Sequence, residues 1–160
     1  TTIAIAMNCG NVLVVLLSSV LMDRLGRRTL LLLSIGGMAA ASALLTAALL
    51  LGSTALVCAA ILLFVVTFGL GLGPVAWLLP AELFPPEQRA AGFALVGSAT
   101  WLTNCAASLT FLLQASLLGA DGFVPHAAVL LAALVYALFN MVETRGKSLE
   151  RINRELSFND

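Results

Sequence analysis

Four stretches of this chain, 1–22, 29–81, 90–120 and 122–142, contain no Lys, Arg, Asp or Glu. Each exceeds the roughly 18 apolar residues that make a membrane-spanning helix the default reading. The longest, 29–81, would measure ~80 Å as one helix at about 1.5 Å per residue, far more than a bilayer. Gly52-Ser53-Thr54 is the natural place for it to turn. The sequence therefore predicts an all-α polytopic membrane helix bundle. Its five spans are expected at about 1–22, 29–51, 55–81, 90–118 and 123–142, with a polar tail over 143–160.

Because spans alternate in direction, the connections at 23–28 and 82–89 and the tail share one face. All eight basic residues fall there: Arg24, Arg27 and Arg28, then Arg89, then Arg145, Lys147, Arg151 and Arg154. The opposite face, 52–54 and 119–122, has none. Positive charge on short loops marks the cytoplasmic side, so the chain is expected to start outside and end in the cytoplasm. Hydrophobic residues make up 61% and charged residues 10%, which excludes an ordinary soluble domain at roughly 45–50% and 25%. The net charge of zero, with acids interleaved among the bases, argues against a nucleic-acid partner. The bilayer is the expected surrounding, in the plasma membrane or an endomembrane.

Cys9, Cys58 and Cys105 lie in three different spans without a C-x-x-C pair, so they read as buried small hydrophobes. No metal or cofactor site is expected. The lone His126 follows Pro125 at the outer end of the last span, and no nucleophile–His–acid set can be assembled, so an enzyme is not expected. A full span begins at Thr1 with no basic leader before it, which reads as the C-terminal piece of a longer membrane protein. In the tail, Leu149, Ile152 and Leu156 share a face, and Glu150/Arg154 and Arg151/Glu155 are i,i+4 pairs, so a short cytosolic helix is expected.

Two local patterns carry more than solubility. Asp23, Arg27 and Arg28 end one span; Glu82 and Arg89 flank the next connection; Glu143 and Arg145 end the last span. Carboxylates and guanidiniums at adjacent helix ends can form a hydrogen-bonded network, and one whose strength biases a conformational equilibrium serves as a gate. The bland alternative is charge that merely anchors helix ends in water. The third span contains Gly69, Gly71, Gly73 and Pro74 in mid-membrane. Pro74 removes one backbone hydrogen bond, so the helix can bend there; Gly69 and Gly73 can also serve close helix packing. A hinge combined with packing is the expectation.

Three motifs in order carry a resemblance. Asp23-Arg24-Leu25-Gly26-Arg27-Arg28 resembles the loop between the second and third helices of a major facilitator superfamily half, in its sugar porter form. Gly73-Pro74, Trp77, Glu82-Leu83-Phe84 and Arg89 resemble the sugar porter pattern of the next connection. Glu143-Thr144-Arg145-Gly146-Lys147 is similar to the family's Pro-Glu-Thr-Lys-Gly signature, with Val142 in place of its Pro. The match is to the facilitative glucose transporter branch and to the last five of twelve helices.

That resemblance implies the C-terminal part of a major facilitator superfamily fold, a hexose or related sugar as substrate, and alternating access. Facilitated diffusion is its default. A proton-coupled symporter and a truncated, non-transporting membrane protein are the alternatives, and the N-terminal half of the same carrier is the implied partner. It also implies substrate contacts from Asn11, Phe68, Trp77, Trp101 and Asn104, since amides suit sugar hydroxyls and aromatic faces suit the sugar's C–H face. Gly69 stands where several glucose carriers have a Glu near the sugar, and Thr100 where they have an Asn.

Overall fold

The computed structural model describes residues 2–147 and 150–151, and for residues 2–11 the backbone alone. Among the described residues, six α-helices follow one another: α1 (Thr2–Leu25), α2 (Arg27–Leu50), α3 (Thr54–Leu70), α4 (Leu72–Leu83), α5 (Arg89–Leu118) and α6 (Val124–Asn140). A 3-10 turn, Gly119–Phe123, joins the last two. No strand occurs among the described residues. Among the described residues, three stretches are long and apolar enough to cross a membrane: Arg27–Leu50, Thr54–Leu83 and Arg89–Asn140, the last containing the 3-10 turn. The tail helix expected over 148–156 lies outside the described residues apart from 150 and 151.

Glycine sets two of the reversals. Gly26, with φ of 89°, turns the chain from α1 into α2 in a single residue. Gly52, with φ of 65°, ends α2. There the Ser53 N–H donates to the Ala48 carbonyl and the Gly52 N–H to that of Leu49, so the last carbonyls of α2 are satisfied without solvent.

Helix α2 is the hub, touching α1, α3, α4, α6 and the 3-10 turn. Its buried residues include Ser34, Ala39, Ala41, Ser42 and Ala48, and small side chains let neighbouring backbones come close. The apolar centre is Leu31, Ile35, Val75 and Ala137, bringing α2, α4 and α6 together, with Leu72, Leu79, Leu130 and Leu134 around it. Many other large apolar side chains point outward: Leu102, Leu112 and Leu117 of α5 are all at least 70% exposed. Only Gly92 of α5 is buried, and that helix leans mainly on α4 and the 3-10 turn. An apolar exterior of this extent belongs in hydrocarbon or against further helices.

The Thr54–Leu83 stretch is not one regular helix. It stops at Gly71, whose φ of −137° and ψ of −72° leave the helical region, and resumes at Leu72.

Candidate functional site

The charged residues at one end of the bundle gather around two carboxylates. Glu82, at the end of α4, receives the Nε of Arg27 at 3.0 Å and its Nη2 at 2.9 Å on the same oxygen, Oε1. The other oxygen accepts a short hydrogen bond from the Thr144 hydroxyl. Arg27 also donates to the Met22 carbonyl at 3.2 Å, tying the end of α1 to the start of α2. The Arg27 and Glu82 side chains are only 16% and 22% exposed, so this charge-assisted pair is partly shielded from water.

Glu143 works differently. Its Oε1 accepts the backbone N–H of Arg27 at 2.8 Å and its Oε2 that of Arg28 at 3.0 Å. These are the first two residues of α2, and Gly26 before them supplies no side-chain cap. A carboxylate more than 110 residues away therefore caps the helix, satisfying two of its orphan donors and facing the positive end of its dipole. The room exists because residue 26 is glycine: a Cβ there would stand 2.7 Å from the Glu143 Cδ. The Arg145 N–H closes the arrangement at 3.0 Å from Oε1. Burial pushes the Glu143 carboxyl up, but the N–H groups of Arg145, Arg27 and Arg28 and the Arg27 charge outweigh it and hold the group below the ordinary glutamate value.

Of the seven residues expected in a gate network, five thus meet around Glu82 and Glu143, though not all through their charges. The Arg28 guanidinium donates to the Leu138 carbonyl at 2.7 Å rather than to a carboxylate, and that of Arg145 to the Arg24 carbonyl. Asp23 is peripheral, 82% exposed and 3.8 Å from Arg27. Arg89 stands apart as the first residue of α5, exposed and without a hydrogen bond or ion pair to any described residue. Thr144 and the bare backbone at 27–28 were missed by a reading that paired charge with charge. The sequence signal for the capped backbone was Gly26, whose missing side chain makes room for a carboxylate, while Thr144 stood uncharged inside the motif at 143–147.

The aromatic candidates form a strip along the broken helix and α5. The Phe68 ring lies over Gly73, 3.1 Å from where a Cβ would be, and Gly73 and Trp77 share a face of α4 at i,i+4. The Trp77 ring reaches to 3.9 Å from the Cβ position of Gly97 on α5, and Gly97, Trp101 and Asn104 form one stripe of that helix. Phe68, Trp77 and Trp101 are 44%, 47% and 71% exposed, and Asn104 is exposed too. Thr100 donates to the Val96 carbonyl of its own helix. The Asn11 side chain lies outside the described residues.

At the opposite end, His126 packs on Phe111 and Phe123, with ring centroids 5.8 and 6.4 Å away. Cys58 and Cys105 are free and exposed, not buried as the sequence suggested, because the faces of α3 and α5 that carry them have no neighbour in the bundle.

The family described as sugar (and other) transporter matches residues 1–156. Solute carrier family 2, facilitated glucose transporter member 3 of Oryctolagus cuniculus is 42% identical over 149 residues, 90% of this chain and 30% of the relative. Member 14 of Homo sapiens is 40% identical over 149 residues, 90% of this chain and 29% of the relative. The chain thus spans about three tenths of the length of these relatives. Among solved structures, the inward-open xylose transporter XylE from E. coli superposes with a TM-score of 0.84 at 26% identity, over 94% of this chain and 34% of that one. The proton:xylose symporter XylE bound to 6-bromo-6-deoxy-D-glucose gives 0.81 at 26% identity, over 98% and 35%. Fold, motifs and family match agree: this chain belongs to the sugar (and other) transporter family and has the all-helical architecture of the major facilitator superfamily.

Proposed function

We propose that this chain forms the C-terminal part of a membrane carrier that moves a hexose or related sugar by alternating access. The observation that carries this reading is the cluster around Glu82 and Glu143. It joins the α1–α2 turn, the end of α4 and the segment after α6, which are otherwise separate ends of three spans. Such a tie holds one end of the bundle closed, and a carrier must loosen it to release cargo there. The basic residues gathered at that end support a cytoplasmic position for it. Phe68, Trp77, Trp101 and Asn104, together with Asn11, supply the sugar-contacting groups of this part, and the rest of the cavity comes from the remainder of the full-length carrier. Gly69 to Pro74 act as the hinge.

Facilitated diffusion is the coupling mode. No Asp or Glu lies within 29–81, 90–120 or 122–142, so no mid-span carboxylate is available here to carry a proton. The symporter reading is favoured by one observation, the structural likeness to a proton:xylose symporter. Uptake of labelled D-glucose and D-xylose by the reconstituted full-length carrier separates the two. Sugar entering down its own gradient, at a rate independent of an imposed pH gradient, is the expected result. Accumulation driven by that gradient would establish symport, and uptake of neither sugar would overturn the carrier reading.

The sugar-facing surface has its own test. Trp101 is 71% exposed, so truncating it removes little packing within this chain. Trp101→Ala should lower sugar affinity by about tenfold, the equivalent of roughly 1.4 kcal/mol, at unchanged surface expression. Unchanged affinity would place the ring against lipid instead.

A further inference from the structure

The break between α3 and α4 leaves helical backbone groups without their usual partners, and two buried serines take over those bonds. Pro74 has no N–H, so the Leu70 carbonyl, its i−4 position, loses its helical donor. The hydroxyl of Ser18, on α1 and wholly buried, donates to that carbonyl at 2.6 Å. On the other side, the Ser34 hydroxyl of α2 donates to the Thr67 carbonyl at 2.6 Å and accepts the Leu72 N–H at 2.9 Å. Those two groups flank the break, and Ser34 is 2% exposed. The approach needs Gly71: a Cβ there would stand 2.6 Å from the Ser34 Cβ and would strike the Leu30 carbonyl. In hydrocarbon, backbone groups freed by a broken helix need such substitutes, because water is absent.

We infer that Ser18 and Ser34 are positioning residues that hold the broken helix in register between Phe68 and Trp77, and so set the geometry of the sugar-facing strip. This rests on the carrier reading for its functional consequence, but not for the bonds themselves. The two serines come from different helices: Ser18 holds only the α3 side of the break, whereas Ser34 spans it, so a shift of α1 relative to α2 loads the two sets of bonds differently. Ser18 answers to the proline and Ser34 to the interruption at Gly71, which makes their roles separable by experiment.

The test uses the full-length carrier in nanodiscs and proteoliposomes. Ser34→Ala should speed amide exchange at Leu72 by about tenfold, while amides in the middle of α2 keep their protection. Ser18→Ala should raise the KM for D-glucose by about threefold with little change in kcat. In a Pro74→Ala background the regained amide can donate to Leu70, so adding Ser18→Ala there should leave KM within about 1.5-fold. Equal KM penalties in both backgrounds would mean Ser18 is a packing residue, and unchanged exchange at Leu72 would remove Ser34 from the role. If the unaltered carrier takes up no sugar, the functional reading falls, while accelerated exchange at Leu72 would still support the Ser34 assignment.

Discussion

Glu143 shows how much one side chain can do from outside the element it stabilises. Its carboxylate caps α2 through the N–H groups of Arg27 and Arg28, and these two donors, the Arg145 N–H and the Arg27 charge, overcoming burial, keep its pKa below the ordinary value. A depressed carboxyl pKa contributes stability that is fully present above the unfolded value, about 4.3, and is lost as pH falls through the folded value. The cap is therefore intact across the physiological range and fails only in acid. Glu143→Gln keeps the shape but loses the charge, and should destabilise the purified carrier by about 1 kcal/mol at pH 7. The gap between wild type and variant in thermal unfolding should stay constant down to about pH 5 and close below pH 4. A gap that instead grew on acidification would show that Glu143 is not the ionised cap. The sequence marked Glu143 as charged and placed at a helix end. It could not show that the partners are peptide N–H groups, because backbone donors leave no letter.

At the scale of elements, the break within Thr54–Leu83 was legible and its repair was not. Gly69, Gly71, Gly73 and Pro74 crowd into six positions of a span, and the helix departs from regular geometry at Gly71. Ser18 and Ser34, by contrast, read as small residues within apolar helices, since their bonds reach 52 and 33 residues along the chain. The close approach that lets Ser34 act depends on the α2–α3 contact as well. A Cβ at Gly37 would stand 3.0 Å from the Cβ of Thr67, whose hydroxyl donates to the Leu63 and Phe64 carbonyls and so cannot swing aside without losing them. Gly37→Ala should push α3 off α2 and destabilise the carrier by roughly 1–3 kcal/mol. Thermal unfolding of the variant in detergent checks this, and a melting temperature equal to wild type would show that the two helices separate freely.

For the whole molecule, direction matters more than any single contact. The Arg28 guanidinium reaches the Leu138 carbonyl and Glu143 reaches the start of α2, so α6 ends where α2 begins and the two run antiparallel. Glu82 brings the end of α4 to the same place. The turns at 51–53 and 119–123 lie at the far ends of α2 and α5. This common end was readable from the placement of eight basic residues, because charge cannot stay in hydrocarbon and short loops leave it nowhere else to go. The packing of α5 was not readable, since its exposed leucines look the same in sequence whether lipid or another helix covers them. If the charged end is cytoplasmic, a cysteine placed at Ser53 or Ala120 in the full-length carrier should react with a membrane-impermeant thiol reagent added outside intact cells. A cysteine at Gln88, beside the start of α5, should react only after permeabilisation. Each probe belongs in a background where Cys9, Cys58 and Cys105 are replaced, since Cys58 and Cys105 are exposed in this fold. Labelling at Gln88 from outside, with Ser53 protected, would reverse the orientation and put the Glu82–Glu143 cluster on the outer face.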